Sequence, residues 1–81
     1  MSIERDLLDM IEIITTAIEI HGSEEDFFRR SSNATQNEAA KALLLQIADE
    51  VGRYRLTLEA RRRSLRTELD VLEADKTDRR R

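Results

Sequence analysis

Apolar residues recur along the first third of the chain in alternating four- and three-residue steps. Leu7, Ile11, Ile14 and Ile18 lead into His21, Glu25 and Phe28, the period of one face of an α-helix. A neighbouring row, Met10, Ile13, Ala17, Ile20, Glu24 and Phe27, widens that face to the broad stripe of a helix packed in a bundle. The pattern predicts a helix from about Ile3 to about Arg30. Ser2 suits its N-cap, and Glu4, Asp6 and Asp9 lie near the positive end of its dipole. The polar segment 31–37, SSNATQN, is made of side chains that compete for backbone hydrogen bonds, so it reads as a loop. Thr35 followed by Glu38 fits a capping box that starts a second helix.

The second helix carries a longer row: Ala40, Leu44, Ile47, Val51, Tyr54, Leu58, Arg61, Leu65, Glu68 and Leu72. Its expected span, about Glu38 to about Asp75, exceeds the first helix by roughly 15 Å at 1.5 Å per residue. That surplus predicts an overhang, and residues 76–81, which carry no apolar group, are expected to fray. Gly52 costs about 1 kcal/mol relative to alanine inside a helix, so it marks a close helix approach or a bend. Glu59 with Arg63 and Arg66 with Asp70 have the spacing of exposed ion pairs.

Two antiparallel helices with faces this broad cannot bury them alone. The expected fold is all-α, a two-helix hairpin in a single domain that dimerises into a four-helix bundle, with further assembly through the overhang. A parallel coiled coil is disfavoured because the loop interrupts both rows. Composition agrees: there is no proline, only two glycines, and 81 residues are too few for a large private core.

Charge and chemistry narrow the function by exclusion. The charged fraction is 38% at a net charge of −3, so the two signs are interspersed. Arg61, Arg62, Arg63, Arg66 and Arg79 to Arg81 therefore read as solvated surface and argue against nucleic-acid binding. Without cysteine there is no disulfide, thiolate zinc site or thiol catalysis. No signal peptide or membrane span is visible, which predicts a cytoplasmic protein and makes Asn33-Ala34-Thr35 turn chemistry in place of a glycosylation site. Nothing forms a Ser/His/Asp set, a phosphate loop or a paired-acid site.

The run AIEIHGSEEDFFRR, the polar loop and LLLQIADEVGRYRLTLE together resemble the rubrerythrin-like branch of the ferritin superfamily, nearest to the short two-helix encapsulated ferritins. The resemblance covers Leu7 to Glu59. It implies a ferritin-like four-helix bundle built from two hairpins, a ring of dimers and a place inside a protein compartment as the alternative location. In such proteins each hairpin supplies a Glu from the first helix and a Glu-x-x-His from the second, and together they hold two irons. By that resemblance the three positions are His21, Val51 and Tyr54, with Phe28 at the family's aromatic position. All three ligands are replaced. A one-residue shift does not restore them, since Glu50 is followed at i+3 by Arg53.

Two readings of the polar residues in the stripe remain. In the first, His21 is structural, hydrogen-bonded to Glu24, Glu25 or Tyr54, and the protein is a non-catalytic structural or partner-binding relative that needs no cofactor and has no ferroxidase activity. In the second, His21, Glu24 and Glu25 with their symmetry mates hold iron or zinc at a dimer interface. In both, Leu7, Ile11, Ile14, Ile18, Phe28, Leu44, Ile47, Val51, Tyr54 and Leu58 form the core of the interface.

Overall fold

The computed structural model describes residues 2–79, with the side chains of residues 77–79 excepted. It is all-helical: α1 spans Ile3–Ala34 and α2 spans Glu38–Arg79. The two lie antiparallel as a rod measuring 66 × 17 × 14 Å. The rod is as long as α2 alone, since 42 residues at about 1.5 Å each give about 63 Å.

Ser2 caps α1 as its chemistry predicts, accepting a hydrogen bond from the Arg5 amide at 3.1 Å. The far end differs from expectation. α1 continues through Ser31 to Ala34, one turn past Arg30, because Ser32 is turned inward and fully buried against the partner helix. Tertiary burial there outweighs the weak helix preference of serine and asparagine. The loop shrinks to residues 35–37. Its cap is Asn37 and not Thr35: Asn37 Oδ1 accepts from the Ala40 amide at 3.0 Å, while Thr35 Oγ1 accepts from the Asn37 amide at 3.3 Å.

The register follows from pairs that join the helices. Asp49 receives Arg29 at 3.0 Å, Glu25 receives Arg55 at 3.1 Å, Thr15 meets Arg62 at 3.3 Å, and Glu4 receives Lys76 at 2.6 Å. The last of these sets the end of α2 beside the start of α1, so the expected C-terminal overhang is not found. The extra length of α2 lies at the loop end, where its first turns rise above Ala34 before Asp49 comes level with Arg29. Of the expected frayed tail, residues 76–79 continue α2, and Arg80 and Arg81 lie outside the described residues.

The private core is thin. Leu7, Ile11 and Leu69 form one buried cluster with Leu65 and Leu72 against it, while Ile18, Ala48 and Ser32 are buried elsewhere along the seam. The buried residues of the loop half are small, Ser32, Ala48 and Gly52, and those of the open half are large, Leu7, Ile11 and Leu69. Much of the apolar stripe stays in water: Met10, Ile13, Ile20, Phe27, Leu43, Tyr54 and Leu56 are all exposed.

Candidate functional site

The hairpin has two unlike sides. Around α1 at about 100° per residue, Leu7, Ile11, Ile18 and Glu25 point to α2, and Met10, Ile14, His21 and Phe28 lie roughly 60° to one side. On that side the helices form a groove of about 610 Å³ lined by Met10, Ile14, Ala60, Arg61 and Leu65 among others. Farther along the same side stands His21. Its Nδ1 is 2.8 Å from Glu24 Oε1, the next turn of its own helix. Its ring meets Tyr54 edge-on, with centroids 4.9 Å apart and planes at 82°. The imidazole thus has a carboxylate on one nitrogen and an aromatic wall beside it, while Tyr54 is itself 54% exposed.

The opposite side is ionic. Glu25, the one carboxylate of the stripe drawn into the seam, has a side chain only 16% exposed. Its Oε2 accepts from Arg55 Nε at 3.1 Å and its Oε1 from Arg29 at 3.3 Å. Arg55 also holds Glu59 at 3.0 Å, and Arg29 also holds Asp49. The Arg55 hydrogen bond is the main cause that holds the Glu25 carboxyl below its ordinary pKa, against the opposing effect of burial and with the help of Arg29. The same contacts raise both arginines above their ordinary value, Asp49 being the larger cause for Arg29 and Glu25 for Arg55.

Gly52 explains how a carboxylate fits here. A Cβ on Gly52 would stand 3.0 Å from Glu25 Oε1 and 3.2 Å from Oε2, so the absence of a side chain makes the space that Glu25 fills. The three nearest atoms all belong to the Glu25 side chain, so this glycine makes room for a carboxylate, which is neither the close helix approach nor the bend expected of it.

The sequence-derived site residues are therefore divided. His21 and Glu24 come together, and Tyr54 joins them through its ring. Glu25 departs to Arg29 and Arg55. The half-buried Val51 lies on α2 one turn before Arg55. Of the expected interface core, Leu7, Ile11 and Ile18 are covered by α2 of the same chain, whereas Ile14, Phe28, Leu44, Ile47, Val51 and Leu58 are half-buried and Tyr54 is exposed. The residues expected as one layer are thus divided between those that α2 covers and those it leaves partly or fully exposed. Leu69, Ala48 and Ser32 were not anticipated: Leu69 falls outside the apolar row, and alanine and serine carry no strong patterning signal. The pairing of Glu59 is also corrected, from Arg63 to Arg55, and among the described residues Arg66 forms no ion pair with Asp70.

These groups do not fit a di-iron centre. Val51 offers no donor, and Glu25 turns to the side of the hairpin away from His21, where two guanidinium groups already neutralise it. Among the described residues no three His, Asp or Glu side chains cluster closely enough to hold a metal ion. No described helix is long and apolar enough to cross a membrane. Comparison with models of known protein families, with characterised proteins and with solved structures returns no match.

Proposed function

We propose that this chain is a ferritin-like structural protein that pairs through its His21 and Tyr54 side into a four-helix bundle and has exchanged iron chemistry for an arginine–carboxylate lock. Its role is to scaffold or to bind a protein partner, without catalysis. The observation that carries the reading is surface area. The chain exposes 6307 Å², whereas a compact monomer of 9.4 kDa exposes about 5,000 Å². The excess, about 1,300 Å² per chain, amounts to about 2,600 Å² for two copies, within the range of obligate homodimer interfaces. The exposed and half-buried residues Met10, Ile14, Phe28, Ile47, Tyr54, Leu58 and Leu65 supply an apolar surface on one side of the rod.

The alternative, iron or zinc on His21, Glu24 and Glu25, fits less well because Glu25 would first have to leave both arginines. Sedimentation equilibrium tests the pairing. The dimer mass is expected for the wild type, and Ile14→Asp, which charges the groove and leaves the Leu7, Ile11 and Leu69 cluster in place, is expected to lose the dimer. A wild-type monomer with full helix content would overturn the reading, as would a folded Ile14→Asp dimer.

A further inference from the structure

A second apolar line lies outside the groove. Ile13, Ile20 and Phe27 recur every seven residues on α1 and are 69%, 55% and 58% exposed. At about 100° per residue they sit roughly 80° beyond the groove residues Met10 and His21, on the outer flank of the helix. An acid stands immediately before each one. Glu12, Glu19 and Asp26, all exposed, form a second row about 100° round the helix from the first. From Asp6 to Phe28, α1 contains no lysine or arginine, so no base of that segment neutralises the row. Beyond it, Arg29 turns to Glu25 and Asp49, and Arg30 donates to the backbone carbonyl of Asp26 and not to its carboxylate.

Charge and spacing together tell what fits there. An acidic border repels an anionic lipid surface, and it repels a second acidic stripe. Nor does α2 of another copy offer a match: its exposed large apolar residues, Leu43, Leu45, Tyr54, Leu56 and Val71, include no two that are seven apart. We propose that Ile13, Ile20 and Phe27, with Glu12, Glu19 and Asp26 beside them, dock a basic amphipathic helix of another protein, apolar along one face and carrying lysine or arginine beside it. The docking rests on the partner-binding role given above and not on the pairing, because the stripe lies off the groove. Burial of the three large side chains supplies affinity, and the acidic row selects basic over acidic helices.

The probe is a synthetic, fluorescein-labelled peptide of about 21 residues, long enough to span the stripe, with leucine along one helical face and lysine beside it. Titrated with the full chain and followed by fluorescence anisotropy, it is expected to bind saturably and more weakly in high salt. The same design with glutamate for lysine, and the lysine peptide in scrambled order, are each expected to bind at least about tenfold more weakly. Ile20→Ser with Phe27→Ser is expected to lower affinity for the lysine peptide by a similar factor at unchanged helix content by circular dichroism. Glu12→Lys with Glu19→Lys is expected to reverse the preference, so that the glutamate peptide binds the tighter. Equal binding of the ordered and scrambled peptides would overturn the docking, as would unchanged affinity after the Ile20 and Phe27 substitutions or binding to phosphatidylcholine vesicles in place of the peptide. Sedimentation of the same protein reports on the pairing separately. A dimer that binds no peptide overturns the docking alone, whereas a monomer that binds it overturns the pairing alone.

Discussion

Replacing Gly52 with alanine sets two effects of similar size against each other. Alanine in a helix interior is worth about 1 kcal/mol over glycine, so the substitution alone should stabilise. The new methyl would sit 3.0 Å from Glu25 Oε1 and 3.1 Å from its Cδ, where ordinary contact begins near 3.4 Å, so the carboxylate must retreat by about 0.4 Å. Glu25 is poorly placed to do so. Its bond to Arg29 is already 3.3 Å long and would pass out of hydrogen-bond range, and its bond to Arg55 at 3.1 Å would stretch with it. Loss or weakening of a hydrogen bond to a charged group costs about 1–2 kcal/mol. The sum leaves Gly52→Ala between neutral and about 1 kcal/mol destabilising in the wild type. In a Glu25→Ala background the obstacle is gone and the full gain of about 1 kcal/mol should return. Urea unfolding of the four proteins of this cycle, followed by circular dichroism at one fixed protein concentration, measures the coupling, expected at about 1–2 kcal/mol. Equal stabilisation by Gly52→Ala in both backgrounds would refute the account of this glycine as the space for Glu25.

Among the described residues Ser32 Oγ is buried without a hydrogen-bond partner, so Ser32→Ala should be neutral or slightly stabilising by urea unfolding, and a loss of about 2 kcal/mol or more would mean that the hydroxyl is satisfied. The Glu25 carboxyl has a folded pKa below its ordinary 4.5, so its contribution to stability is complete above that value and is lost as pH falls through the lower, folded one. Glu25→Gln should therefore flatten the acid side of the stability profile below about pH 5, and an unchanged slope would contradict the arginine contacts. Protein purified without chelator should carry negligible iron and zinc by elemental analysis, equally in wild type and His21→Ala. Stoichiometric metal lost on that substitution would favour the metal-binding reading.

The hairpin was legible because patterning over thirty residues survives local exceptions, and Ser2 was legible because capping is a local interaction. The end of α1 was not, since it goes with the burial of Ser32, a residue that does not stand out in a hydrophobic row. The destination of Glu25 was hidden for a related reason. Helical spacing places it on a face beside His21, and it does not say that Arg55, thirty residues on, reaches into the seam over a glycine. Apolar periodicity likewise marks a residue for burial without naming its cover, so Ile11 and Ile14 look alike in sequence although α2 covers the first and leaves the second at the groove.

The antiparallel register also bears on how the chain closes. The pairs that join the helices have sequence separations of 20 for Arg29 and Asp49, 30 for Glu25 and Arg55, 47 for Thr15 and Arg62, and 72 for Glu4 and Lys76. Each pair formed leaves only a short further segment to be closed before the next, so the entropy of bringing distant residues together is met in small steps from the three-residue loop outward. Such a ladder zips, and its opening under heat should begin where Lys76 meets Glu4 and end where Asn37 starts α2. Amide exchange should accordingly be fastest beside Glu4 and Lys76 and slower from the Leu7, Ile11 and Leu69 cluster inward.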